Sequence, residues 1–307
     1  MKRVREQLIC PSYSECNGEP VTIAFLDTGI KEHPDFADII IAFKDFVNYR
    51  TNAYDDSGHG THVCGIAAGD GRVSEGIYQG ISPMSKIVMG KVLDANGDGL
   101  ADQMIEGLNW LICMREELKI RMVNISVGIG NLKDMNKQRE LQEKVEETCD
   151  KGMLGVCAAG TLGPQRGSIS PLGVSRKVIT VGCHDGEYFK DYENRCEIYS
   201  GRGPTGNIIK KPDIVAPGTE IISCNTNYYI KGKKQKNNTS YQNAYIAKSG
   251  TSMATAIVSG TAALLLQKHP ELSIEQVKKK LLYSATDLGE PWIKQGWGMI
   301  NMKSALE

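Results

Sequence analysis

Short apolar runs alternate with longer amphipathic segments along this chain. Residues 21–26, 86–93, 122–127, 153–159, 178–182 and 213–216 are rich in β-branched and aliphatic side chains and read as buried strands. Between them the apolar period lengthens. In 102–118 the apolar residues fall at 104, 105, 108, 111, 112 and 118, a single helical stripe. Residues 135–149 read as a charged amphipathic helix. Residues 273–285 open on Ser273-Ile274-Glu275-Gln276, a capping-box pattern. Strands alternating with helices predict the α/β class, with a mostly parallel sheet covered by helices on both faces. No linker-like stretch breaks the alternation and no internal repeat is visible, so one domain is expected.

Composition narrows the function classes. Lys+Arg and Asp+Glu are both 36, which gives no support to nucleic-acid or membrane-surface binding. No apolar run approaches the roughly 18 residues that a spanning helix needs. The charged start, Met1-Lys2-Arg3-Val4-Arg5, is not followed by an apolar signal core, so a cytoplasmic protein is expected. The nine cysteines are odd in number and lack metal-like spacing. Several sit in apolar segments such as Val156-Cys157-Ala158-Ala159, as free thiols of a reducing compartment do. Cys10 and Cys16 give the only local hint of a disulfide.

Three segments carry the candidate chemistry: Leu26-Asp27-Thr28-Gly29, Gly58-His59-Gly60-Thr61-His62 and Gly250-Thr251-Ser252-Met253-Ala254. Each sets a reactive side chain among residues too small to block it. In chain order they supply an acid, a base and a nucleophile, one of several unrelated orders that build the same triad. Asp27 ends the first strand, where catalytic groups of open α/β sheets gather. His59 and Ser252 each start a small-residue helix, and the second ends before Pro270. A nucleophile at a helix start gains from the dipole and from free N–H groups that can face an oxyanion.

Taken singly, Ser252 reads as a plain N-cap and Asp27 as a turn former. His62, one turn beyond His59, reads as a hydrogen-bonded structural histidine. His33, His184 and His269 read as surface or turn residues. Asp94-Ala95-Asn96-Gly97-Asp98-Gly99 opens like a calcium loop, but its twelfth position is Ile105 and not Glu, so no metal is assigned. The polar, Lys-rich stretch 225–243 reads as a long hairpin or exposed loop leading to the nucleophile.

These motifs resemble the subtilisin-like serine proteases, most closely the intracellular bacterial branch. The acid motif continues into His33-Pro34-Asp35, and the base motif is preceded by Asp55-Asp56-Ser57. Asn124-Ile125-Ser126-Val127-Gly128, Gly201-Arg202-Gly203-Pro204-Thr205 and Lys211-Pro212-Asp213-Ile214-Val215-Ala216-Pro217-Gly218 also match. The resemblance implies a three-layer fold with a short extension at 1–19 and a peptidase domain over 20–307. It implies serine endopeptidase activity with Asp27, His59 and Ser252 as triad. An extended peptide substrate would lie between Gly97-Asp98-Gly99 and Ser126-Val127-Gly128, with Ala158-Ala159-Gly160 beside the primary pocket. It implies no required cofactor, and the shortened loop at 69–79 does not support the structural calcium of secreted members. Those members also carry a prodomain, whereas about 20 residues precede the first strand here; unaided folding or a processed form is expected. Oligomeric state is not implied.

Two positions depart from the family pattern. The oxyanion asparagine is replaced by Thr161, whose hydroxyl reaches less far, and the proline after the serine motif is Ala256. Beside an active endopeptidase, two other readings stand: an attenuated module that binds extended peptides, and a processing protease dedicated to one precursor.

Overall fold

The computed structural model describes residues 1–12, 14–126, 134–189, 193–203, 210–231 and 240–307. Seven parallel strands form the central sheet: β1 (Thr22–Asp27), β2 (Ile40–Asp45), β3 (Lys86–Lys91), β4 (Ile120–Ile125), β5 (Leu154–Ala158), β6 (Ile179–Cys183) and β7 (Ile214–Ala216). Their spatial order is β2-β3-β1-β4-β5-β6-β7. Four shorter strands follow: β8 (Ile221–Cys224) pairs with β11 (Tyr245–Lys248), and β9 (Tyr229–Lys231) with β10 (Ser240–Gln242). The helices are α1 (Lys2–Gln7), α2 (His59–Ala68), α3 (Ala101–Met114), α4 (Met135–Asp150), α5 (Thr251–Lys268), α6 (Ile274–Tyr283), α7 (Trp292–Gln295) and α8 (Met302–Leu306).

The strand order decides where a site can form. From β1 the chain moves to one side for β2 and β3, then crosses to β4 on the other side of β1. Crossovers therefore leave β1 in opposite senses, which opens a crevice at its carboxyl end. Every strand expected from the apolar runs is present. β1, β5 and β6 are buried along their whole length, as expected of a sheet covered on both faces.

α5 packs on β4, β5, β6 and β7. Its buried residues run almost unbroken from Thr251 to Leu266, so it is a central helix and not a surface one. Small side chains permit this: a Cβ on Gly260 would lie 2.6 Å from Ile81 Cβ.

Three features differ from the sequence reading. β2 was not foreseen, because this edge strand is half exposed and carries Lys44 and Asp45. The stretch before residue 20 is packed into the common core through Met1, Val4, Leu8 and Cys16. Arg3 ties it down further through Asp185 and the Thr219 carbonyl. Finally, His33 and His184 stand at turns, one of the two places expected, but are buried and not at the surface. Backbone partners explain both: His33 Nε2 meets Ala244 O at 3.0 Å, and His184 Nδ1 accepts the Gly186 N–H at 3.0 Å. Local sequence cannot reveal a carbonyl supplied from 211 residues away. Within the 225–243 stretch the described residues include the antiparallel pair β9 and β10.

All nine cysteines are free, Cys10 and Cys16 included. Among the described residues no helix is long and apolar enough to cross a membrane.

Candidate active site

Asp27 closes β1 and is 1% exposed. Its Oδ1 accepts the Thr28 N–H at 2.7 Å and lies 2.7 Å from His59 Nδ1. A carboxylate partner fixes the proton on Nδ1 and leaves Nε2 as the basic nitrogen.

This contact requires α2 to approach the end of β1 closely. Gly60 makes that possible, since a Cβ there would lie 2.2 Å from Gly29 O and 3.2 Å from Asp27 Oδ1. The first distance is short of van der Waals contact by on the order of 1 Å. Gly60→Ala is therefore expected to push α2 outward, destabilising the fold by about 1–3 kcal/mol. Displacing His59 by that much is expected to lower kcat about 10²-fold. Thermal unfolding and steady-state kinetics on the variant test both effects; an unshifted Tm and kcat would contradict the packing argument.

Asp55 anchors the start of α2. It accepts N–H bonds from Ser57, Gly58 and Thr61, and hydroxyls from Thr28 at 2.9 Å and Thr61 at 2.6 Å. Such charge-assisted bonds fix the helix terminus on which His59 sits. Lys91, fully buried, holds the other side: its Nζ donates to Thr28 O, Leu93 O and Asp56 Oδ1 at 2.6–2.7 Å. The sequence reading assigned a role to neither residue. Asp55 stands in the motif around His59 without local sign of its anchoring role, and nothing local marks Lys91 as more than one strand residue.

The histidines separate electrostatically. Burial disfavours the His59 imidazolium, but the charge and hydrogen bond of Asp27 outweigh it, with Asp55 adding to them and Lys248 opposing. The net effect holds His59 above its ordinary value. His62 is fully buried with Nε2 3.0 Å from both Ile221 O and Ile246 O, and burial together with Lys248 pushes it down to about 3. It is a neutral structural residue, as expected.

Ser252 is the second residue of α5, so its N–H has no acceptor inside the helix. Its Oγ donates to Ser126 O at 2.5 Å. Ser126 follows β4 and bonds through Oγ to Asn124 Oδ1, while Asn124 Nδ2 donates to Ser259 Oγ at 2.9 Å. This buried relay pins the end of β4 against α5.

Ser252 and His59 border one groove of about 370 Å³ at the carboxyl ends of the strands. Gly97, Ser126, Ala158, Gly160 and Thr161 line it with them. Asp98, Gly99 and Ala159 do not. Asp98 is held in a turn by Asp94, and Ala159 is buried with its carbonyl on the Ser170 N–H. Val127 and Gly128 lie outside the described residues. Thr28, Ser57, Leu93, Asn96 and Thr251 also line it, as do Leu162, Ser168, Ser170 and Pro171, which no local pattern marks as site residues. Ser170 Oγ is buried there without a hydrogen-bond partner among the described residues. Apart from His59, no ionisable side chain lines the groove among the described residues.

A model of the subtilase family matches residues 18–299. The chain belongs to the subtilase family. The subtilase is 41% identical over 276 residues to the serine protease AprX of Bacillus subtilis (strain 168), a match that covers 88% of this chain and 62% of AprX. It is 30% identical over 295 residues to subtilisin DY of Bacillus licheniformis, covering 94% and 92% of the two chains. Among solved structures, sphericase superposes with a TM-score of 0.74 at 26% identity, over 93% of this chain and 92% of that one. The subtilase thus spans less than two thirds of AprX but nearly all of subtilisin DY, and carries a serine peptidase domain with the expected three-layer fold.

Proposed function

We propose that this subtilase is a serine endopeptidase that hydrolyses extended peptides through an acyl-enzyme on Ser252. The observation that carries the reading is the 2.7 Å contact of Asp27 and His59 at the edge of a groove that also holds Ser252 and Thr161. In this reading Ser252 Oγ leaves Ser126 O by a side-chain rotation and passes its proton to His59 Nε2 as it attacks the carbonyl carbon. Asp27 stabilises the imidazolium, which then protonates the leaving amine. The Ser252 N–H and the Thr161 hydroxyl hold the oxyanion. Water repeats the sequence on the ester. Gly97 and Ser126 flank the substrate strand, whose recognition rests largely on main-chain hydrogen bonds.

The uncharged lining favours an uncharged side chain in the primary pocket, because a buried unpaired charge is costly. The free thiols favour a reducing compartment such as the cytoplasm.

A fluorophosphonate probe tests the assignment. Stoichiometric labelling at Ser252, absent in Ser252→Ala, is expected; folded protein that does not label would make the chain a peptide-binding module instead.

The pH profile tests the base. Protonated His59 cannot accept the serine proton, so kcat/KM is expected to fall as pH drops through its pKa. Because His59 is held above the ordinary value near 6.5, the acid limb should lie above that pH. Lys248 donates to Gly58 O at 2.9 Å and lowers the His59 pKa by its charge. Lys248→Met is expected to move the acid limb to still higher pH. A limb that stays put, or moves down, would remove Lys248 from the electrostatics of the site.

A further inference from the structure

His33, Asp35 and Cys224 meet outside the groove. The first two lie in the turn that follows β1, and Cys224 closes β8. All three are at most 4% exposed. One potential ligand atom from each lies within 4.8 Å of the other two. His33 Nδ1 is 3.9 Å from Asp35 Oδ1, and Cys224 Sγ is 3.8 Å from Asp35 Oδ2.

The surroundings have the form of an outer shell. A metal-binding histidine commonly gives its other ring N–H to a carbonyl, and ligating carboxylates are themselves hydrogen-bonded. Here His33 Nε2 is 3.0 Å from Ala244 O, which leaves Nδ1 as the basic nitrogen. Tyr245 donates its hydroxyl to Asp35 Oδ2 at 2.8 Å, and the Val73 N–H meets Oδ1 at 3.1 Å. The contact that competes with a metal at Nδ1 is the Asp35 N–H at 3.2 Å, a long hydrogen bond.

We propose that His33, Asp35 and Cys224 bind a thiophilic divalent cation, zinc foremost, which staples the turn after β1 to β8. The donor set selects the ion. Calcium and magnesium take oxygen ligands, whereas a mixed sulfur, nitrogen and oxygen set suits zinc. A tetrahedral zinc ion with ordinary bond lengths places such ligand atoms roughly 3.3–3.6 Å apart. The observed 3.9 Å from His33 to Asp35 Oδ1 and 3.8 Å from Cys224 to Asp35 Oδ2, with no pair of ligand atoms more than 4.8 Å apart, leave a closure of at most about 1 Å to draw the three donors onto one ion. The Cys224 thiol proton leaves as the zinc–sulfur bond forms. Thiolate and carboxylate then balance the two charges of the ion, so no net charge is buried. Water fills the fourth position. Entry is short, because His33 also borders a surface cleft with Glu32, Pro34, Tyr228 and Tyr241.

The staple would act on the wall that supports the catalytic groups. β8 pairs with β11, which leads directly to Ser252, and both strands offer the carbonyls that hold His62 on α2.

The test uses the full chain, stripped with a chelator, desalted, and blocked at Ser252 with fluorophosphonate to prevent autolysis. Titration with cobalt(II) is expected to give the visible bands of a tetrahedral ion and a thiolate charge-transfer band, saturating at one equivalent and abolished by zinc. Cys224→Ser should lose the charge-transfer band, while Cys113→Ser, which alters an exposed thiol, should keep it. Zinc at about 100 times its Kd should raise the Tm of the wild type by about 4 °C and leave Cys224→Ser unmoved. A second measurement needs no variant: zinc-edge X-ray absorption of the loaded protein should find one sulfur with nitrogen and oxygen neighbours. Folded wild type without a charge-transfer band, a band that survives Cys224→Ser, or a zinc shell with no sulfur or with several would each overturn the proposal.

Discussion

Replacing His59 by alanine is expected to lower kcat by roughly 10⁶-fold while leaving KM within a few-fold. That magnitude is the one attached to loss of the base or the nucleophile in a related subtilisin. It is large because Ser252 at neutral pH is a poor nucleophile without an acceptor for its proton, and here the alternative partner, Ser126 O, draws the hydroxyl away from attack. Asp27→Asn should cost less, about 10⁴-fold. The carboxamide fits the space but offers its N–H₂ or its weaker carbonyl to Nδ1, so the imidazole settles in the wrong tautomer. The charge that stabilises the imidazolium is also lost, and the acid limb of the residual activity should move to lower pH, since Asp27 is what raises His59. Steady-state kinetics from pH 5 to 9 on both variants separate the two effects. An Asp27→Asn enzyme with near-normal kcat would mean that Asp27 does not orient the base.

Thr161→Asn is expected to act in the opposite direction, raising kcat with little change in KM. Thr161 lines the groove beside Ser252 and is exposed. A carboxamide at that place reaches further and brings N–H donors to the developing oxyanion, an interaction made only in the transition state. Loss of such a donor costs about 10²–10³ in kcat in subtilisin, which bounds the gain available here. In the proposed mechanism the threonine hydroxyl recovers part of that, directly or through water, so a rise of about ten-fold to a hundred-fold is the expected result. Single-turnover acylation of an activated ester isolates the step. An unchanged or lower acylation rate would show that Thr161 already serves fully, and a rise confined to KM would place the residue in ground-state binding.

The legible parts of this protein were those written in local pattern. The apolar runs gave β1 and β3 to β7 because strands buried on both faces need little beyond aliphatic side chains. The small-residue starts of α2 and α5 were legible for a steric reason, seen at Gly60, where any side chain would strike Gly29 O. The half-exposed β2 and the packed start of the chain were not legible. Their apolar positions are few, and what holds them comes from distant elements, such as Asp185 for Arg3. The same holds for part of the groove. Ser168 and Ser170 lie in a stretch without periodicity, and only the tertiary fold brings them to the groove that Ser252 borders.

The sequence by itself determined the α/β class, the parallel sheet and the identity of the acid, base and nucleophile candidates. These rest on residue type and spacing, which act through the adjacent backbone. Tertiary structure alone decided how those candidates are held and tuned. Asp55 and Lys91 fix the two flanks of the site, and Lys248 reaches it from β11, 190 residues beyond the Gly58 carbonyl it binds. Whether a histidine is solvated or buried was settled in the same way: His33 owes its burial to Ala244 and its company to Cys224. The physical reason is that hydrogen bonds and Coulomb interactions depend on separation in space, and the crossovers that set this separation leave no mark on the residues they bring together.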